Sequence, residues 1–453
     1  IVIGSGPGGY TAAIRSSQMG MKTAIIEQSE LGGICLNWGC IPTKSLLKAA
    51  EVYRNIENAH NFGIMAQNIG FDFKKIIAKS RDSANQLAKG VSYLMKKNKI
   101  TTIIGKAKLI SKNEILVNAP NAEQKKFIAK NIVIATGASP RAIPGMEFNG
   151  DTIWNYKHAM SPNVQPKSLL IIGSGAIGIE FADFYNTFDT NVTIVEKQPA
   201  ILPGIDKELG KIMHSALEKR GINIYTSTSV SKIDIINNQV HTTINNEQQS
   251  FEKILIAVGV EANTKDLGLD EIGVETEHSK IVIDRNYQTS VPNIYAIGDV
   301  TGGICLAHKA AHDAISCIEG IAGLNCYKTN DEEVPMCIYA HPQIASVGLT
   351  ESALREKKCN IKVGHFYYKA NGKAVATNET VGMTKIISDA KTGEILGAHI
   401  IGDNATEIIH AYVVAKSTEA IDISIQRTIF AHPTLSEILH EAALDLDNIA
   451  INS

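Results

Sequence analysis

The sequence predicts an α/β protein with two parallel-sheet units that repeat one motif, followed by a smaller α+β domain. Three observations predict it. "IVIGSGPGGYTAAIRSSQMGMKTAIIEQ" (1–28) and "LIIGSGAIGIEFADFYNTFDTNVTIVEK" (170–197) share one strand–turn–helix–strand pattern. Gly4, Gly6, Gly9 and Glu27 recur as Gly173, Gly175, Gly178 and Glu196 at a constant offset of 169. From about Glu332 onward the pattern changes to hairpins and helices, in "ASVGLTE", "KIISDAKTGEILGAHIIG" and "HPTLSEILHEAAL". A chain of 453 residues is also too long for one ordinary domain and has room for about three.

Each repeat explains its own residues. The first glycine permits the tight turn, the second lets the backbone approach a pyrophosphate, and the third lets the helix pack close to the sheet. The helix N-terminus then offers oriented N–H groups to the anion. The glutamate, 23 residues after the first glycine, can accept from a ribose diol and repels a 2′-phosphate. Together these are the Rossmann-like dinucleotide-binding fingerprint, present twice. Two sites take two dinucleotides, and an enzyme holding two passes electrons between them.

The remaining elements follow in order. "NIVIATGASPRAIPG" (131–145) is a buried strand and small-residue turn that closes the first unit. "ILIAVGVEANT" (254–264) is the parallel end of the second, and "TSVPNIYAIGDVTGG" (289–303) is another strand ending in Gly-Asp. The expected domains are 1–140, an inserted unit 141–264, a central segment 265–331 that completes the first lobe, and 332–453. The charged stretch between Val52 and Lys99 reads as solvated helices over the first lobe.

Composition excludes several partners. Apolar residues make up 44%, charged residues 20%, and the net charge is −2. Such a balance recommends neither nucleic acid nor an anionic membrane. No apolar run reaches membrane-spanning length. The chain starts at Ile1 inside a strand, so preceding residues are expected and a targeting segment there would not be visible. Bacterial-type cytoplasm is the expected location, with the mitochondrial matrix as the alternative.

"GGICLNWGCIPTKS" (32–45) holds Cys35 and Cys40, two of seven cysteines. Half of a metal site, a structural disulfide and a cycling disulfide all fit two thiols at this spacing. Structural zinc wants four ligands, and no second pair of suitable spacing accompanies these. A small static loop contributes little chain entropy. Cys305, Cys317, Cys326, Cys337 and Cys359 show no C-x-x-C spacing and read as buried or idle thiols.

Taken together, "GSGPGG", "GGICLNWGCIPTKSLL", "ATG", "GSGAIGIE", "AIGD", "LAHKA", "ASVGLTE" and "HPTLSE" resemble the flavoprotein pyridine nucleotide-disulfide oxidoreductases over essentially the whole chain. Within them the resemblance is strongest to those that oxidise dihydrolipoyl groups and reduce NAD. It implies that the first unit binds FAD through Gly4, Gly6, Gly9 and Glu27, with Asp299 at the ribityl chain and the Ala307 backbone at the flavin edge. Gly105, Thr136 and Gly137 are further expected cofactor contacts. The second unit would bind NAD through Gly173, Gly175, Gly178, Glu196 and Gly259. Lys44 would sit at the flavin, paired with Glu180. A flavin beside a cysteine pair favours the cycling disulfide. The resemblance assigns Cys40 to the flavin side and Cys35 to exchange with substrate.

A free thiol titrates around 8.5, so a dithiol substrate needs a base before it can attack. The resemblance assigns that base to His432 and its orienting carboxylate to Glu437. Thr434–Glu437 also reads as a capping box, and one side chain is not expected to serve both roles fully. The implied C-terminal domain is a homodimer interface. The implied partners are the lipoyl domains and acyltransferase core of 2-oxo-acid dehydrogenase complexes, or the glycine-cleavage system.

Three positions depart from the pattern. Phe430 replaces a second histidine, Trp38 stands where a smaller residue is common, and "GVEANT" (259–264) lacks an arginine. The rival functions are an NADPH-dependent disulfide reductase of the same family, which Glu196 opposes, and a flavin-binding scaffold protein, which the Cys35, Cys40 and His432 set opposes.

Overall fold

Short runs of branched apolar residues make the parallel sheet of the first unit, which comprises residues 1–45, 74–141 and 259–329. The strand order is Thr101–Ile104, Ala24–Glu27, Val2–Ile3, Ile132–Ile134 and Ile294–Ala296. Val2 lies beside Ile25 and Val133, and Ile3 beside Ile26 and Ile134. Both faces are covered, so the central strands read as continuous rather than alternating apolar runs. On one face Val2, Ile25 and Val133 meet Ala12, Ala13, Val91, Met95, Ala314 and Ile318 from three helices: Pro7–Gln18, Phe73–Lys97 and Ala307–Ile321. On the other, Ile3, Ile26 and Ile134 meet Ala107, Leu109, Ile115 and Val117 of a three-stranded antiparallel sheet.

This computed structural model describes residues 1–230 and 232–452. Among them no helix is long and apolar enough to cross a membrane.

The second unit comprises residues 46–73, 142–258 and 330–453. Its parallel sheet runs Asn223–Tyr225, Asn191–Val195, Ser168–Ile172, Lys253–Ile256 and Ile153–Trp154. The repeat thus extends to four strand positions. The fifth is different: Ile153–Trp154 precedes the motif, whereas Ile294–Ala296 follows its counterpart. A three-stranded antiparallel sheet again covers one face, through Val240, Ile244 and Phe251.

In the same unit, five antiparallel strands run in the order Met336–Ile338, Gln343–Gly348, Ile395–Gly402, Met383–Asp389 and Ile361–Tyr367. The helix Glu437–Asp445 lies on this sheet through Ile438, Leu439 and Ala442. A Cβ at Gly364 would lie 2.1 Å from the Ala442 carbonyl oxygen, so only glycine permits this approach. That packing fixes the helix whose first turn carries Glu437.

Two expected boundaries move. Residues 46–73 belong to the second unit rather than to the first lobe. Arg54 donates to Asp183 at 3.1 Å and Thr187 at 2.9 Å, while Tyr53 and Phe71 pack on Phe188. The parallel strand expected over 254–264 stops at Ile256. The chain turns at Gly259, φ +104°, and Val260–Ala262 pairs antiparallel with Ala138–Pro140 in the first unit.

Candidate active site

The two glycine turns share one geometry. Gly4 and Gly173 have φ of +98° and +99°. A Cβ at Gly9 would lie 2.0 Å from the Gly4 oxygen, and one at Gly178 would lie 2.2 Å from the Gly173 oxygen. By contrast, a Cβ at Gly6 or Gly175 would meet nothing within 4 Å among the described residues. The first and third glycines are therefore demanded by the fold, while the second leaves open space. Gly6 and Gly175 are also the N-caps of Pro7–Gln18 and Ala176–Thr187, and among the described residues no side chain caps either helix. First-turn N–H groups facing an open cradle are what a pyrophosphate requires.

Glu27 ends the second strand of the first repeat, and Glu196 directly follows the second strand of the other. Glu27 Oε2 accepts the Ser5 N–H at 2.9 Å and its hydroxyl at 2.6 Å, while Oε1 accepts the Ser29 N–H at 2.8 Å. Glu196 makes the same three bonds with Ser174 and Gln198 at the same distances. Each carboxylate thus uses three of its about four acceptor directions and keeps one for a ribose hydroxyl. Burial works against the charge of Glu196, but the Ser174 hydroxyl and neighbouring N–H groups outweigh it and hold the carboxyl below its usual range. Ser5 and Ser174 escaped notice in the sequence. Their signal was available, because each is the same residue between the same glycines in both repeats.

Other expected cofactor residues gather in the first unit. Thr136 donates its hydroxyl to the Asn263 carbonyl at 2.8 Å, and Asn263 Nδ2 returns a bond to the Thr136 carbonyl at 2.9 Å. Gly137, φ +70°, accepts the Asn263 N–H at 2.9 Å. The "ATG" turn is therefore clipped to the returning chain. Gly105 donates to the Glu27 carbonyl at 2.8 Å, and a Cβ there would lie 2.6 Å from the Asn118 oxygen. Asp299 lies in the short 3-10 turn Gly298–Thr301. Burial raises its pKa, opposed by a backbone N–H and the Lys309 charge. Ala307 begins a helix that no side chain caps among the described residues, leaving N–H groups for a ligand edge. Gly259 accepts the Arg141 N–H at 3.0 Å, a contact in the first unit rather than in the second repeat.

Cys35 lies in the helix Gly33–Trp38, and Cys40 begins the helix Cys40–Glu57. Both are thiols, and they are hydrogen-bonded to each other. That bond, then burial, then the charge of Cys40, raise the Cys35 pKa far above the ordinary thiol value, with Lys44 opposing. Lys44 stands one turn after Cys40 on the same helix, so its cation serves the pair. Glu180 is buried on Ala176–Thr187, and its Oε1 accepts the Tyr339 N–H at 3.0 Å.

His432 and Glu437 are brought together, with Nδ1 and Oε1 at 2.8 Å. Glu437 Oε2 accepts the Thr434 N–H at 2.8 Å. The expected capping box does not form: the helix starts at Glu437 with Ser436 as its N-cap and, among the described residues, no side-chain cap, and the Thr434 hydroxyl donates to the Ala431 carbonyl instead. Burial pushes the Glu437 pKa up, but the Thr434 N–H and His432 outweigh it and leave the carboxyl below its ordinary value. Phe430, at the departing position, lies 6.1 Å from the His440 ring, centroid to centroid.

Residues 1–314 match the family model described as pyridine nucleotide-disulphide oxidoreductase, and residues 334–443 match the model of its dimerisation domain. The chain belongs to this family. It is 47% identical over 474 aligned positions to a dihydrolipoyl dehydrogenase of Rhizobium etli, covering 100% of this chain and 98% of that one. A dihydrolipoyl dehydrogenase of Zymomonas mobilis is 46% identical, covering 98% and 97%. Among solved structures, LpdA from Mycobacterium tuberculosis superposes with a TM-score of 0.92 at 24% identity, covering 98% of both chains. The HOCl-induced flavoprotein disulfide reductase RclA from Escherichia coli gives 0.88 at 28%, also covering 98% of both. The family's fold, with two dinucleotide-binding domains and a dimerisation domain, is the fold of this chain. The open cradles at Gly6 and Gly175 fit two dinucleotides, and the family's cofactors are FAD and NAD.

Proposed function

We propose that the chain is a dihydrolipoyl dehydrogenase, oxidising dihydrolipoyl groups through Cys35 and Cys40 and reducing NAD to NADH. The observation that carries this reading is the hydrogen-bonded Cys35–Cys40 dithiol in a chain that aligns end to end with dihydrolipoyl dehydrogenases.

Gly4, Gly6, Gly9 and Glu27 would hold the adenosine half of FAD, with Thr136, Gly137, Asp299 and Ala307 nearer its flavin half. Gly173, Gly175, Gly178 and Glu196 would hold NAD. Bound FAD supplies the two-electron relay between the dithiol and NAD. His432, oriented by Glu437, takes the proton from one substrate thiol. The resulting thiolate attacks the Cys35 sulfur of the oxidised pair, the Cys35–Cys40 bond breaks, and Cys40 leaves with the electron pair as thiolate. The second substrate thiol then displaces Cys35, closing the lipoyl ring. In the reduced pair Cys40, the flavin-side thiol that the resemblance implies, carries the thiolate, at the start of a helix and one turn before Lys44.

The protein works as a homodimer, with lipoyl domains of a 2-oxo-acid dehydrogenase or glycine-cleavage complex as its partners, in a bacterial-type cytoplasm. Turnover with dihydrolipoamide and NAD, set against glutathione disulfide with NADPH, tests the reading. Faster turnover of the second pair would overturn it.

A further inference from the structure

The hinge between the two thiols is held from outside the motif. The helix carrying Cys35 ends at Trp38, and the next begins at Cys40. Gly39 folds back tightly, because a Cβ there would lie 3.1 Å from the Ile34 oxygen and 3.3 Å from the Cys35 Cα. Asn37 Nδ2 donates to the Leu31 and Gly33 carbonyls, each at 3.0 Å. Arg81 reaches in from the helix Phe73–Lys97. Its Cζ lies 4.2 Å from the Trp38 ring centroid, and its Nη1 donates to the Asn37 carbonyl at 2.5 Å. One guanidinium therefore holds both residues that precede the hinge glycine. A planar face that stacks and a fork that donates is a combination arginine has and lysine lacks.

We propose that Arg81 is a positioning residue for the Cys35–Cys40 pair: by stacking on Trp38 and holding the Asn37 carbonyl, it fixes the hinge and raises the effective concentration of each thiol for the other. The inference rests on the proposed function, in that it takes Cys35 and Cys40 as the redox couple. Ring closure between two thiols is favoured when the intervening chain is already held near the closed geometry. Releasing the hinge makes the disulfide easier to reduce. The helix Phe73–Lys97 is then more than a solvated cover, and Trp38, at its departing position, is the ring that Arg81 grips.

The test equilibrates full-length holoenzyme in dithiothreitol redox buffers and reads Cys35 and Cys40 by alkylation and peptide mass. In the oxidising direction the two thiols lose two protons and two electrons as their S–S bond forms. Oxidised dithiothreitol takes both up as its own S–S bond opens. Arg81→Met and Trp38→Leu should each shift the equilibrium toward dithiol about tenfold, which is about 30 mV for a two-electron couple. Arg81→Lys should fall between wild type and Arg81→Met. The double variant should shift no further than the larger single change, because both remove one device. Folding is checked by circular dichroism and flavin content. If Arg81→Met does not fold, Arg81→Lys and Trp38→Phe supply the comparison. Equilibria within twofold of wild type in the folded variants, or a double shift equal to the product of the singles, would overturn the proposal. A lowered melting temperature with an unmoved equilibrium would do the same. A wild-type protein without a Cys35–Cys40 couple would instead overturn the proposed function, before Arg81 is changed.

Discussion

Glu437 Oε1 lies 2.8 Å from His432 Nδ1. Because Oε2 is tied to the Thr434 N–H, the carboxylate cannot rotate away, and the imidazole is pinned from behind. Nδ1 carries the shared proton, and Nε2 remains for a substrate thiol. His432→Ala should lower kcat with dihydrolipoamide by about 10²–10⁴-fold, the range of a lost general base. Glu437→Gln should fall between wild type and His432→Ala. Reduction of the flavin by NADH needs no base at the thiol and should survive both changes. A His432→Ala enzyme within threefold of wild-type turnover would refute the role.

The two cysteines should differ when replaced singly. With the charge of the reduced pair on Cys40, Cys40→Ser should abolish the long-wavelength thiolate-to-flavin absorption of the reduced enzyme. Cys35→Ser should keep that band while losing disulfide exchange. The opposite pattern would reverse the assignment.

Glu196 is held by three hydrogen bonds and is charged at neutral pH, so a 2′-phosphate would meet a fixed negative group. The kcat/KM for NAD should exceed that for NADP by more than tenfold, a gap of about 1.4 kcal/mol. Glu196→Gln should narrow the ratio. A wild-type ratio below ten would count against this specificity.

The repeats were legible because the third glycine of each packs on the first, Gly9 on Gly4 and Gly178 on Gly173, which leaves a fixed spacing in the sequence. His432 and Glu437 were named through the resemblance carried by "HPTLSE", and their contact is local, being made within five residues. The Arg81–Trp38 stack spans 43 positions, and nothing in "AKSRDSANQ" marks one arginine as turned inward. The transfer of residues 46–73 to the second unit was hidden similarly, since it depends on Arg54 meeting Asp183, 129 positions away. Gly105 shows the converse: its glycine is explained by packing against Asn118, which the sequence cannot separate from contact with a cofactor.

His341 Nε2 and Glu379 Oε2 lie 3.9 Å apart, the outer limit of an ion pair, yet their environments argue against one. Burial, followed by the Arg54 charge, lowers the His341 pKa to about 4. Burial, followed by the Asp403 charge, raises that of Glu379 to about 7. Between those values the folded protein holds both groups neutral. An acid with a raised folded-state pKa contributes stability that is fully present below its unfolded value, about 4.3, and is lost as pH rises through the folded value. His341 acts in the opposite sense: its contribution is present above about 6.5 and is lost as pH falls through about 4. Glu379→Gln retains His341 and removes only the first effect. The melting temperature of the variant relative to wild type should therefore rise between about pH 4.5 and 7.5 and level off above. A difference that stays flat across this range would show that Glu379 titrates normally.

The last prediction concerns where His432 acts. Its side chain is 77% exposed, and nearby Ile429 is 95% exposed. Residues 334–443 match the family's dimerisation domain, and the resemblance implies that this domain lends its histidine to the partner's disulfide. We therefore propose that His432 serves the cysteine pair of the partner subunit. In an isologous dimer this builds two equivalent sites, each from both chains. Consider one chain carrying Cys35→Ser and another carrying His432→Ala. Each homodimer should be nearly inactive, because every site has one lesion. In the mixed dimer one site collects both lesions, while the other pairs an intact Cys35 with an intact His432. Random assembly makes about half the dimers mixed, and about half of their sites work, so activity should return to about a quarter of wild type. If His432 served its own chain, every site of the mixed dimer would keep one lesion and nothing would return. Co-expression with two different affinity tags isolates the mixed dimer, and NADH formation from dihydrolipoamide reads the result. An inactive mixed dimer of verified composition would rule out the shared site.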